Sequence, residues 1–386
     1  MPIIAAKDWA PFKIDALGII TLLGTESLRQ SISRLVHNGF AEYLPLLAPQ
    51  IIADNTITDV VPGFTLYNIT DGVLAIDLSP WWTRWLTCQS LNWNTTVLEV
   101  KASPTRQPLV TFPWLVMLFS NAIINAIIIV IPVLLDDWYG FAASVSLVVT
   151  VVSRAYIVSS LRRSIDGLVV QAESERDPVK LFLTCPDGKA LTIRTTRGIA
   201  TNILLTSPRP RHRLAYQLFQ GVQWVALGVL VVSLGSASLC VQIILIGVIL
   251  LATFIVAQRY GCDEYHIGRC LEIAQYNPLP SDADRRGVAY MNLDLTAEEE
   301  SAMISWHLLP QLYNEYLWNR YNADKSKRGQ AVFHQPVPNA IANTGPAVAQ
   351  RSSSNTTTST TNTGQPTAQR AVSNNPVPTA TGAVAP

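Results

Sequence analysis

The sequence predicts a membrane protein. Its core is all-α, four transmembrane helices arranged as two hairpins, and its α+β cytosolic parts include a small antiparallel sheet in the middle loop. Three observations carry this. Charged residues make up only 14% of the chain, against ~25% in a soluble domain, and they are segregated: residues 112–158 and 214–257 contain only Asp136, Asp137 and Arg154. Each of these tracts is long enough to cross a bilayer twice; as one helix, residues 214–257 would reach ~66 Å, about twice the hydrocarbon thickness. The basic residues, finally, gather at one side of both tracts. The near balance of 28 Lys+Arg against 27 Asp+Glu excludes the basic footprint of a nucleic-acid binder.

Residues 1–111 read as an N-terminal cytosolic α+β region. Lys7, Asp8, Lys13 and Asp15 interrupt its start, so the first membrane helix is expected to direct insertion. Leu28, Ile32, Leu35, Val36 and Phe40 recur at helical spacing, and His37-Asn38-Gly39 supplies a stop. Residues 64–69 and 73–78 alternate as strands around Asp71-Gly72. Ser79-Pro80 then opens a short helix with Pro at its favoured first position. That helix carries Trp81, Trp82 and Trp85, with Trp93 following; these are either core of a small α+β unit or an anchor at the headgroup level.

Residues 112–161 form the first transmembrane hairpin, with spans 112–135 and 138–161 turning at Asp136-Asp137. Residues 214–257 form the second, turning at 235–238. The loop between them, 162–213, holds ten Lys and Arg residues, Lys101 and Arg106 precede the first span, and Arg259 follows the last. The turns within the hairpins hold no basic residue. By the positive-inside rule both termini and the middle loop are cytosolic. The sequons at Asn68, Asn94 and Asn355 oppose that assignment, since their use requires the other side.

In the middle loop, residues 179–185 and 189–196 flank Pro186-Asp187-Gly188 and spell a β-hairpin with a type I turn and bulge. Leu181, Leu183, Leu191 and Ile193 lie on one face, and residues 198–206 are expected to add a third strand. Residues 258–328 are read as C-terminal cytosolic helices. The first covers 263–274. A second is opened by the capping box Thr296-Ala297-Glu298-Glu299, carries Met303, Trp306 and Leu309, and stops at Pro310. The aromatic series Trp306, Tyr313, Leu317 and Trp318 is expected to pack on the hairpin sheet. Residues 329–386, rich in Ser, Thr and Asn, are expected to be disordered.

A search for chemistry finds little. No phosphate loop, dinucleotide fingerprint, zincin pair or nucleophile elbow is present, so no catalytic residue, cofactor or metal is predicted and the chain is not read as an enzyme. Cys262, His266 and Cys270 would share a helical face, but structural zinc takes four ligands in tight pairs. Three sets of candidate residues remain. Arg154, the one charge inside a span, falls at the level of Ser120 and Asn121. It is predicted to contact Asn121, with Asn125 one turn deeper, or else to snorkel towards headgroups. Gly221, Gly228 and Gly235, spaced by sevens, predict a seam between spans three and four. Arg209, Arg211 and Arg213 abut the third span and either attract anionic lipid headgroups or merely set orientation.

Residues 180–199 with 204–210, residues 263–268, and residues 293–300 with Trp306 and Trp318 together resemble a family of uncharacterised multi-pass membrane proteins of filamentous ascomycete fungi. The resemblance covers roughly residues 110–325. It implies the hairpin–loop–hairpin topology and no activity, since none is assigned to the family. The expected function is that of a non-enzymatic scaffold or regulatory protein, embedded in a lipid bilayer and meeting a protein partner through its cytosolic domain. The alternative is a channel or transporter subunit working as an oligomer.

Overall fold

A computed structural model describes residues 25–38, 42–46, 49–91, 94, 96–103, 112–258, 262–276, 289–290 and 293–331. The expected disordered tail, apart from its first residues, lies outside these, as do Phe40, Trp93, Arg106, Arg259 and the sequon at Asn355. In chain order the first elements are α1 (Thr25–Ser33), β1 (Val36–Asn38), α2 (Pro49–Ala53), β2 (Thr65–Asn68), β3 (Val73–Ala75), α3 (Pro80–Cys88) and β4 (Val97–Ala102). Two long helices follow, α4 (Phe112–Leu134) and α5 (Trp138–Ala172), then β5 (Pro178–Thr184) and β6 (Ala190–Thr196). The chain continues through α6 (Arg213–Ser236), α7 (Leu239–Ala257), β7 (Cys262–Ile267), β8 (Leu271–Tyr276), α8 (Ala297–Ser305) and α9 (Glu315–Ala331). Helices α4 to α7 are long and apolar enough to cross a membrane, as an integral membrane protein requires.

The sheet departs most from expectation. It is large and mixed, with eight strands in the order β1-β7-β8-β4-β6-β5-β2-β3. All its neighbours are antiparallel except β4 and β6. The β5–β6 hairpin forms as predicted, with Gly188 at φ +84° and the Cys185 N–H donating to the Lys189 carbonyl at 2.8 Å. It is not a small sheet of its own, because it is apolar on both faces. Leu181, Leu183, Leu191 and Ile193 enter one core, while Phe182 and Ala190 enter another. A strand buried on both faces needs neighbours and cover on both sides; β4 supplies one edge and β2 the other.

Three further expectations are corrected. Residues 198–206 are not a third strand; Arg197–Ile199 is a helical turn that widens into a π-helix at Ala200–Leu204. Residues 263–274 are not a helix but the β7–β8 hairpin around Gly268. Cys262, His266 and Cys270 therefore share no helical face, and none of the five cysteines is in a disulfide. The amphipathic stretch from Leu28 leaves the helix at Ser33, and Leu35, at φ +56°, turns the chain into β1.

Helix α5 is the axis of the molecule. Its 35 residues give a length of ~52 Å, well beyond a ~30 Å hydrocarbon core and eleven residues past its expected end at 161. No proline interrupts it, so the charged run from Arg162 continues the helix. Ile157, Val158, Leu161, Ile165 and Val169 join the main core with the Leu181 face of the sheet and the tryptophan helix α3. Trp81, Trp82 and Trp85 are fully buried there, the last two stacked at 5.2 Å; they are core, not interface. The opposite face of the sheet carries Phe182 against Tyr290, with ring centroids 5.1 Å apart, and Tyr67 against Trp306 at 5.5 Å. Both halves of the capping box at Thr296 are formed. Met303, Leu309 and Tyr321 are buried in this second core with Trp318 against it, whereas Tyr313 stands exposed.

Candidate functional site: an arginine clamp on the N-terminal segment

Arg154, Arg162 and Asp166 follow one another on α5 at spacings of eight and four, so they lie on one helical face. All three reach for backbone in other segments of the chain. The Arg154 guanidinium donates from Nη2 to the carbonyl oxygens of Leu44 and, at 3.3 Å, Glu42. Arg162 donates from Nε to the Leu35 carbonyl at 2.8 Å and from Nη2 to the Val36 carbonyl at 2.6 Å. Its Nη1 meets the Glu42 carboxylate at 2.6 Å and His37 Nδ1 at 3.2 Å. Asp166 Oδ1 accepts from the backbone N–H groups of Arg269 at 2.7 Å and Cys270 at 3.2 Å, which fixes the β7–β8 turn. That turn tolerates only glycine at 268: its φ is +62°, and a Cβ would lie 2.3 Å from Asp166 Oδ1. His37 Nε2 sits 3.1 Å from the Gly268 carbonyl, so the two held segments also touch each other.

The Arg154 guanidinium is therefore hydrogen-bonded to the carbonyls of Glu42 and Leu44 rather than to the expected Asn121 amide. Its partners are backbone carbonyls of residues 42–44, where a helical turn at Glu42 and Tyr43 ends in a bend at Leu44. Asn125 serves the same segment from the other side: its Nδ2 donates to the Tyr43 carbonyl at 2.9 Å and to the Asn121 carbonyl at 2.8 Å. Asn121 is fully buried beside it. The structure thus gathers Arg154 and Asn125 around one strap, with Arg162 and Glu42 added. Counting Arg162 only as a basic flank hides it, although the repeat 154, 158, 162, 166 marks one continuous face. Glu42 carries no sequence signal beyond its charge.

The other two candidate sets fall elsewhere. Gly221, Gly228 and Gly235 are exposed, and no atom lies within 4 Å of where a Cβ would stand at any of them, so they form no seam with α7. Helix α6 packs on α5 instead, through Ser146 Oγ donating to the Ala226 carbonyl and Gln223 Nε2 donating to the Thr150 carbonyl at 2.8 Å. The close approach of α7 is to α5, where a Cβ on Gly140 would come within 2.7 Å of Val241. Across the opposite end of the bundle, the Asp137 carboxylate accepts from the N–H groups of Gly140 at 2.9 Å and Ser238 at 2.7 Å, tying the two hairpin turns together. Arg209, Arg211 and Arg213 are exposed at the start of α6.

Outside the spans, the Arg197 guanidinium holds the Asp71 carboxyl below the usual carboxylate range, helped by the Asn68 amide and opposed by partial burial. Burial pushes the Cys185 thiol up to about 12, so it is a packed, unreactive sulfur. Among the described residues no three His, Cys, Asp or Glu side chains converge as a metal site. The arrangement is mechanical: it joins the bundle of apolar helices to the eight-stranded sheet by charge-assisted bonds to backbone. No family model, curated protein or solved structure matches the chain.

Proposed function

We propose that this protein is a non-enzymatic membrane scaffold, holding its eight-stranded sheet in a fixed attitude at the cytosolic face and presenting it to a protein partner. The observation that carries the reading is α5, a single unbroken helix whose first half lies among the membrane spans and whose second half forms the core under the sheet. Cytosolic placement of the sheet is supported by the one-sided basic flanks. It is further supported by Asn68, which is buried with its amide bonded to Asp71 at 2.8 Å, an environment that no glycan could share. The partner-facing surface is the β3 edge. Among the described residues β3 has a neighbouring strand on one side only, and Val73 and Leu74 within it and Ile76 just after it stand about half exposed or more. Such an edge accepts an added strand from another chain.

The transport alternative fares worse. A conducting path needs polar groups turned towards a shared lumen. The buried Ser144, Ser146, Gln223 and Gln242 instead donate to helix or turn carbonyls. Purification in mild detergent of the wild type and of Leu74→Asp tests the scaffold. A stoichiometric protein partner present with the wild type and lost from the correctly folded variant is expected. A wild type that elutes alone and makes vesicles permeable to ions or small solutes overturns the reading.

A further inference from the structure

Helices α5 and α6 are bolted together by the Ser146–Ala226 and Thr150–Gln223 hydrogen bonds, which set equal depths along the antiparallel pair. Beside this bolted line the two helices leave a groove of about 750 Å³, within the ~300–1,000 Å³ typical of ligand sites. Ala142, Val145 and Val149 form one wall, and Leu218, Val225 and Val229 the other. Gly221 lies in the second wall, and its missing side chain opens the space there. From Leu218 to Val229 the groove runs ~16 Å along α6, the depth of one leaflet of a ~30 Å hydrocarbon core.

The end of the groove at Leu218 is the basic end. Leu214, Leu218, Gly221 and Val225 recur at intervals of four, three and four, so they make one stripe on α6. Leu214 is 84% exposed at the head of that stripe and adjoins exposed Arg213, Arg211 and Arg209. On α5, Ala142, Val149, Tyr156 and Arg163 are spaced by sevens, and Arg163 is exposed at the same end. An apolar slot one leaflet deep, with exposed arginines of both helices beyond its Leu218 end, is complementary to a lipid with a negative headgroup.

We infer that the α5–α6 groove is a binding site for one anionic phospholipid, with an acyl chain against Gly221 and the headgroup phosphate among Arg163, Arg211 and Arg213. The inference rests on the membrane-spanning reading of α5 and α6 and deepens it by naming the lipid class. It does not depend on the β3 partner surface. Arginine forks suit phosphate oxygens, and the groove removes chain methylenes from the disorder of bulk lipid.

The test is native mass spectrometry of the full chain, delipidated in detergent and offered equal phosphatidylserine and phosphatidylcholine. The wild type is expected to retain one phosphatidylserine in preference. Arg211→Gln with Arg213→Gln should erode the preference, by about fivefold for each charge removed, while still admitting lipid. Gly221→Leu puts a side chain into the slot from a position where a Cβ meets no atom within 4 Å, and should abolish retention of both lipids. Gly228→Leu, equally open but outside the groove, should leave retention unchanged and controls for damage to α6. Equal retention of the two lipids by the wild type, or unchanged retention in Gly221→Leu, overturns the inference. A protein that holds phosphatidylserine as described yet captures no partner breaks the scaffold reading and leaves this one standing.

Discussion

Within one unbroken helix, residues 138–153 and 154–172 are packed by different chemistry. Along the first stretch the buried polar groups are short, and they bond to helix backbone. Ser144 donates to the Gly140 carbonyl and Thr150 to Leu147, both in the same helix, while Ser146 donates across to Ala226. Along the second stretch they are the long, charged Arg154 and Arg162, and with half-buried Asp166 they reach past the helix to other segments. The difference follows from what each level offers. Lipid provides no hydrogen-bond partner, so backbone there must be helical and nearly self-satisfied. Small side chains let helices close up and add a single bond. Where loops and turns pack against the helix, their carbonyls and N–H groups need partners, and a buried arginine can satisfy several at once. Helix α5 is thus packed against neighbouring helices at one end and against loops and turns at the other.

The largest effect should come from breaking the lower half. Arg162 and Glu42 form an ion pair with both side chains nearly buried. Arg162→Leu strands a carboxylate and two carbonyls, and losses of this kind run to ~3–5 kcal/mol. Thermal unfolding in detergent should show a markedly lower midpoint, and Arg162→Leu with Glu42→Leu together should recover part of it. A double variant as unstable as the sum of the two singles would mean that the pair is not the unit holding the strap.

Breaking the far end of the membrane half comes next. Asp137→Ala removes two backbone bonds to a charged acceptor, each worth ~1.5–3 kcal/mol, and unties the two hairpin turns. Its signature should differ from that of Arg162→Leu. Protease sensitivity should rise at residues 235–238 while the sheet stays protected. Early cleavage within β5–β6 in Asp137→Ala would erase the distinction between the halves.

That distinction was partly legible in the sequence, and the reasons are physical. Gaps in charge locate the four spans because the cost of burying charge in lipid leaves no exceptions except the paid-for one, Arg154. The turn at Asp187-Gly188 and the cap at Thr296 are local chemistry and appear as local motifs. The sheet was not legible at full size, because β1, β4 and β7 are three to six residues long and find their partners across long chain separations. Cys262, His266 and Cys270 repeat at intervals of four, which helix and strand patterns both accommodate over so short a run. The partner of Arg154 was illegible for a deeper reason. Backbone carbonyls look alike in every residue, so no side-chain pattern announces which ones are unsatisfied. Glycines at intervals of seven mark one helical face but not its neighbour, and here all three are exposed, with Gly221 alone lining a groove.

A third variant probes the join between the lower end of α5 and the sheet. A Cβ on Gly198 would lie 2.2 Å from the Ala172 carbonyl oxygen, a backbone atom that cannot swing aside. Gly198→Ala should cost ~1–3 kcal/mol as overpacking, read as a lower unfolding midpoint with the membrane helices still protected from exchange. An unchanged midpoint would mean that the end of α5 is not pressed against the turn after β6.

The smallest effect is the most selective. Asp71, on the turn between β2 and β3, is bonded by Arg197 at 2.7 Å, and Arg197 also holds Asp177 beside the end of α5. The Asp71 carboxyl is depressed by that hydrogen bond first, with burial opposing and Asn68 assisting. A carboxylate depressed in the folded state adds stability that is complete above its unfolded value, ~3.9, and lost as pH falls through the folded one. The contribution should therefore be constant at neutral pH and disappear below about pH 4. The membrane half should show no matching step, because the groups bonding α5 to α6, Ser146 and Gln223, do not titrate. Amide exchange at Arg197 and Gly198, whose N–H groups donate to the carbonyls of Asp177 and Glu175, should quicken in acid while exchange along α6 stays slow. In Asp71→Asn exchange at those two amides should already be faster at neutral pH and should lack the acid step. An acid step that survives in Asp71→Asn, or one shared by the α6 amides, would place the acid-sensitive contact somewhere other than this corner of the sheet.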